Sequence, residues 1–110
     1  MSRPVIVINA FTVPMQESEL FLERWSESAR VMARQPGLVR ARLHRSLIAE
    51  AQPRFVNVAE WESREALDAA LAIPEFGGST QRLLDDPGLH VTPHPLVYEV
   101  ALEVGSGITA

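Results

Sequence analysis

The sequence predicts an α+β domain of ferredoxin-like type, βαββαβ, with an antiparallel four-stranded sheet and its helices on one face. Three observations lead there. The apolar residues recur with period two, then 3.6, then two twice, then 3.6, then two, which is the order strand, helix, strand, strand, helix, strand. The first and third strand segments are apolar on both sides, as central strands are, whereas the second has one polar side, as suits an edge. The breaks between segments carry proline or glycine, residues that end regular structure.

The first segment, Val5 to Val13, is β-branched and ends at Pro14, with Asn9 interrupting its hydrocarbon run. From about Gln16 to Gln35 the helical period takes over, and Phe21, Trp25, Ala29 and Met32 form an apolar stripe. Glu17, Glu19, Glu23 and Glu27 lie toward the start of this helix and Arg30 and Arg34 toward its end, the distribution favoured by the helix dipole; the glutamates read as a solvated face. Pro36 and Gly37 stop it. Leu38 to Ile48 alternates, with Val39, Ala41, Leu43 and Leu47 on one side and Arg40, Arg42, His44 and Ser46 on the other. A turn through Ala49 to Pro53 leads into Phe55 to Trp61. Ser63 is placed to cap a helix from Arg64 to about Ala72, with Leu67 and Leu71 inward. Pro74 and the Gly77-Gly78 pair are expected to break it, leaving a helical turn or two over Ser79 to Leu84. Asp85 to Pro95 reads as loop, Leu96 to Val104 as the last strand and Gly105 to Ala110 as a frayed tail. The expectation is a single domain over 1–110 with its core in 5–104.

The helices of this arrangement cover one face of the sheet. Val56 and Val58 sit on the other face of the third strand, so a second sheet packed face to face is expected, and with it a homodimer.

Composition excludes several classes of chemistry. A net charge of −4 argues against a nucleic-acid footprint. All ten basic residues are arginine, so no lysine is present for Schiff-base catalysis, and the lack of cysteine removes thiol catalysis, disulfides and thiolate metal sites. No run approaches the roughly 18 apolar residues of a membrane span, and the N-terminus reads as a strand start rather than a signal peptide, so a cytoplasmic protein is the expectation. His44, His90 and His94 form no metal signature, because Pro93 and Pro95 argue against a helix that would bring the latter two together; both read as residues of a solvated loop.

The segment Phe55 to Trp61 is the most informative. Phe55, Asn57, Ala59 and Trp61 share one side, so an amide stands where hydrocarbon is expected. An unpaired amide in a dry core costs about 1–3 kcal/mol, so Asn57 has a fixed partner or faces a cavity. A hydrogen bond to Asn9 across adjacent central strands, or a structural water, is the plain alternative.

The strand Val5 to Phe11, the Phe21–Trp25 segment, Pro36-Gly37, Leu43 to Ser46 and Phe55 to Trp61 followed by Glu62-Ser63 together resemble the antibiotic biosynthesis monooxygenase family over about 5–104. The resemblance implies a dimeric ferredoxin-like barrel, and in some members a cofactor-free oxidation of polyketide anthrones to quinones by molecular oxygen. It also implies that Asn9, Asn57 and Trp61 occupy the positions of catalytic residues lining a cavity between sheet and helices, and that Arg82 is the counterpart of a basic residue used by some members. An apolar cavity with donors aimed at a developing oxyanion is what such chemistry needs. Phe11, Trp25, Leu67 and Phe76 are the expected walls around a small aromatic substrate. No strong general base is evident; an imidazole is the ordinary candidate, but the edge position of His44 favours solvent. Two rivals stand beside this reading. Heme-binding and heme-degrading members use a His on the second helix, which the segment Arg64 to Ile73 lacks, and a non-enzymatic dimer binding a small apolar ligand needs no chemistry at all.

Overall fold

The β-branched run at the N-terminus forms β1, Val5–Thr12, and the chain then turns through a short 3-10 segment, Met15–Glu17, into α1, Ser18–Ala33. There follow β2, Leu38–Arg45; β3, Phe55–Trp61; α2, Arg64–Leu71; α3, Pro74–Asp85; and β4, Thr92–Tyr98. This computed structural model describes residues 3–105. The strands form one antiparallel sheet in the order β2-β3-β1-β4, so β1 and β3 are central, as their two-sided apolar character predicts. The expected tail from 106 onward lies outside the described residues.

The register places rows of side chains on the helix side of the sheet. Pro95, Asn9, Asn57 and Leu43 form one row across the four strands, and Val97, Val7, Ala59 and Ala41 the next. The core divides on either side of the Asn row. One cluster holds Phe11, Val13, Phe21, Phe55, Leu83 and Leu89, with Phe21 stacked on Phe55 at 4.7 Å between ring centroids. The other holds Met32, Ala59, Trp61, Leu67 and Ala70, and Trp25 packs against both.

Local chemistry sets the element ends. Gly37 turns the chain from α1 into β2 at φ 90°, and a Cβ there would meet the Ala66 Cβ at 2.5 Å, so both backbone and space demand glycine. Ser63 caps α2 as its position predicts, its Oγ accepting from Ala66 N–H at 3.1 Å. The Gln52 side chain clasps the Val13 backbone, donating to its carbonyl at 2.7 Å and accepting from its N–H at 3.2 Å.

Several boundaries differ from the sequence expectation. Pro74 opens α3 instead of breaking a helix, and α3 runs through Gly77 and Gly78 without interruption. β4 begins at Thr92 and ends at Tyr98, so the last four residues of the expected Asp85–Pro95 loop are strand, and Val100, Leu102 and Val104 lie beyond β4 as exposed chain. A register shift between Leu38 and Arg40 turns Val39 out of the row of Ala41 and Leu43, and Leu47, past the end of β2, is fully exposed. Leu71 is exposed too, at the end of α2. Glu17 belongs to the turn before α1 and is held by His90, accepting from its backbone N–H at 2.6 Å with the ring Nδ1 at 2.8 Å. His94 lies in β4 and not in a loop.

Among the described residues no helix is long and apolar enough to cross a membrane.

Candidate active site

Between the two core clusters lies a cavity of about 420 Å³, roofed by α1, α2 and α3 and floored by the sheet. Its floor is the helix-side face of the Asn row and its neighbours: Val7, Asn9, Phe11, Asn57, Ala59 and Trp61. Trp25, Ser28 and Met32 descend from α1, and Leu67 and Phe76 from α2 and α3. Leu71, Leu84, Pro95 and Val97 are the solvent-facing members of its rim. The walls are apolar and aromatic with a few polar groups, the composition of a site for a hydrophobic small molecule.

Seven of the eight sequence-derived site residues therefore meet in one cavity: Asn9, Asn57, Trp61, Phe11, Trp25, Leu67 and Phe76. Arg82 does not. It is exposed on another side of α3, in an open groove with Arg24, Glu27 and Asp86, because the uninterrupted helix turns Leu83 inward and its neighbour out. His44 is also remote from the cavity, exposed on β2 with Nδ1 3.1 Å from the Val56 carbonyl oxygen. Ser28 and Thr80 are lining residues that periodicity alone passes over, since a serine on a helix carries no signal of facing a cavity rather than solvent.

The two amides are not equivalent. Asn9 and Asn57 are directly opposite one another on β1 and β3. The Asn9 Oδ1 accepts the backbone N–H of His94 at 3.1 Å, which leaves its NH2 end for the cavity. Asn57 is buried and its Oδ1 has no hydrogen-bond partner. The cross-strand bond that would have satisfied it is not made. A buried carbonyl left this way costs about 1–3 kcal/mol, and because the atom is sealed, Asn57 meets the cavity through its other, NH2 end. The floor thus turns two amide NH2 groups toward the cavity, those of Asn9 and Asn57, with the Trp61 indole on the same side of β3.

None of the cavity-lining residues is ionisable at neutral pH, since Asp, Glu, His, Lys and Arg are all missing from the wall. The wall offers dipoles rather than charges. Among the described residues no group of three or more His, Cys, Asp or Glu is placed to hold a metal ion. Heme iron is held in proteins by His, Cys, Met or Tyr, and of these the wall contains only Met32, a neutral thioether; the residues present do not fit an iron-ligating site.

A ferredoxin-like sheet with a dipole-lined apolar cavity under its helices is an α+β domain with room for a small molecule. The family model of antibiotic biosynthesis monooxygenases matches residues 4–79, and the chain belongs to that family. Among solved structures it is similar to SnoaB, a cofactor-independent oxygenase from Streptomyces nogalater, at 28% identity and TM-score 0.75, over 94% of this chain and 98% of that one. It is similar as well to a protein from Shewanella loihica, at 32% identity and TM-score 0.72 over 94% and 99% of the two chains. MhuD, a heme-degrader from Mycobacterium tuberculosis, matches at 29% identity and TM-score 0.68 over 92% and 99%. No curated protein matches the sequence.

Proposed function

We propose that this protein is a cofactor-independent monooxygenase that oxidises an electron-rich polycyclic aromatic ketone, of the anthrone type, to a quinone with molecular oxygen. The observation that carries this reading is the pair of amides, Asn9 and Asn57, side by side on the floor of an otherwise apolar cavity, with the Asn9 Oδ1 engaged by His94 and the Asn57 Oδ1 sealed, so that their NH2 ends are what a ligand meets. A ring ketone, with two lone pairs, accepts from both. The similarity to SnoaB supports the oxygenase assignment.

Loss of one methylene proton from the anthrone gives an enolate, whose oxygen carries charge that the Asn9 amide and the Trp61 indole stabilise. One electron passes from the enolate to oxygen, giving superoxide and a carbon radical. The two combine to form a C–O bond, and protonation gives a hydroperoxide. Breaking its O–O bond with loss of the second methylene hydrogen releases water and leaves a carbonyl, so one oxygen atom enters the quinone and the other leaves as water. The methylene carbon gives up four electrons in becoming a carbonyl, the number that one O2 takes in yielding a carbonyl oxygen and a water, so no external reductant is needed. The protein holds it in the dry cavity and supplies dipoles, while the first proton leaves to solvent, in keeping with a wall that has no ionisable group.

The heme-degrading function of MhuD is the competing reading, and the donor set disfavours it here. A crystal soaked with a hydroxylated anthraquinone is expected to show the ketone within hydrogen-bond distance of Asn9 Nδ2 and Asn57 Nδ2. A ligand bound elsewhere, or a Soret shift on titration with hemin at stoichiometric concentration, would overturn the proposal.

A further inference from the structure

The helix side of the cavity carries a buried polar group that the chemistry above leaves unused. Ser28, on α1, is 6% exposed and lines the cavity. Its Oγ lies 3.3 Å from the Oγ of Ser79, which is 4% exposed on α3, and the Ser79 Oγ in turn donates to the Phe76 carbonyl at 2.8 Å. Each hydroxyl has one proton. Ser79 gives its proton to Phe76, the shorter contact, so it receives the proton of Ser28. The Ser28 oxygen is left with lone pairs and no proton to offer, which makes it an acceptor. Thr80, the other hydroxyl of the wall, also donates to the Phe76 carbonyl, at 3.2 Å.

We infer that Ser28 is a specificity-determining residue whose oxygen accepts a hydrogen bond from a free phenol on the edge of the ligand that faces the helices. The cavity then recognises a polycyclic aromatic at two walls: a ring ketone on the sheet, at Asn9 and Asn57, and an outward phenol on α1. A phenol beside the ring ketone is internally hydrogen-bonded and has little to donate, so Ser28 reads a hydroxyl remote from that ketone. The inference rests on the reading of the cavity as a polycyclic-ketone site, and its test uses binding rather than turnover.

The probes are 1,8-dihydroxyanthraquinone and its analogue with a third, outward phenol, followed by quenching of Trp25 and Trp61 fluorescence. The protein is expected to bind the analogue about tenfold more tightly than the parent, as one added hydrogen bond to a buried oxygen provides. Ser28→Ala is expected to abolish that preference while leaving affinity for the parent unchanged, because Ser79 keeps its bond to Phe76; Asn57→Leu is expected to weaken both ligands alike. A Ser28→Ala protein that stays folded and keeps the preference would overturn the inference alone. Equal weakening of both quinones would also overturn it, by showing a role only in α1–α3 packing. Failure of the unaltered protein to bind either quinone would overturn it together with the proposed function.

Discussion

At the scale of single residues the two amides on the cavity floor carry the most weight. Asn57 Oδ1 is buried without a partner in a strand whose neighbours on the same face are Phe55, Ala59 and Trp61. A purely structural amide would be satisfied, so the cost borne here accords with an NH2 end held toward the cavity for a ligand. Asn57→Leu, close in volume, is therefore expected to leave the melting temperature unchanged or raised while lowering turnover by about 100-fold, the usual order for removing one preorganised polar contact. Thermal denaturation and steady-state rates on the same samples check this, and a loss of stability with unaltered activity per folded molecule would make Asn57 structural. Two carboxylates behave in the opposite way, being fully engaged. Burial works against the charge on Glu17, yet the hydrogen bonds from the ring and backbone of His90 bring its pKa below the ordinary 4.5. Asp86 is lowered from 3.8 by the Gly88 N–H and then by the Arg24 guanidinium. Groups whose pKa is depressed by folding stabilise the native state above their unfolded values and lose that contribution as pH falls through the folded ones. The melting temperature is thus expected to drop on acidification below those ordinary values, and the double variant Glu17→Gln, Asp86→Asn to show a lower neutral plateau with a flatter acid limb.

At the scale of elements, the central strands and α1 were legible because burial on one or two faces writes itself into period. β1, β3 and the cap at Ser63 follow directly from residue type. α3 and β4 did not, and for the same physical reason: local preference was outvoted by packing. Gly77 and Gly78 disfavour a helix by up to about 1 kcal/mol each, but Phe76, Ser79 and Leu83 fix α3 over the cavity and against α1. Pro93 and Pro95 lack the N–H of a ladder strand, yet β4 is an edge, where this is tolerated, and both rings face the cavity side. Arg82 was implied by the family resemblance alone, with no support from periodicity, and it lies on the outer side of α3, away from the cavity. Asn9, Asn57 and Trp61 were legible as polar interruptions on one face; that the oxygen ends of both amides are withheld from the cavity was not, because it depends on His94 bonding Asn9 and on how tightly Asn57 Oδ1 is enclosed. The two kinds of glycine give a direct contrast. Gly77→Ala meets open space and no unusual backbone angle, so it is expected to stabilise by about 0.5–1 kcal/mol, whereas Gly37→Ala, strained at φ 90° and pressed on Ala66, is expected to destabilise by more than 1 kcal/mol. Denaturant titration of both separates them; a loss of stability in Gly77→Ala would mean that α3 needs its flexibility.

At the scale of the whole molecule, the face of the sheet away from the helices remains to be covered. Ile6, Ile8, Val56 and Val58 are half-buried in the single chain, and Leu96 and Tyr98 of β4 extend the same face. Val100, Leu102 and Val104 continue the apolar surface beyond β4. A face this apolar is expected to pair with a second copy, sheet to sheet, so light scattering at micromolar concentration should give a dimer and Val58→Asp a monomer; a stable monomer of the unaltered protein would remove the inference. Such pairing would leave the helix-side cavity one per subunit, which ties the molecular assembly back to the chemistry. That chemistry is tested most directly by oxygen uptake. With purified protein free of heme and in the presence of a metal chelator, addition of a hydroxylated anthrone is expected to consume one oxygen molecule per quinone formed, at a rate proportional to protein concentration and sharply reduced in Asn57→Leu. A rate no higher than that of buffer across several anthrones, or one that appears only when heme is added, would contradict the account.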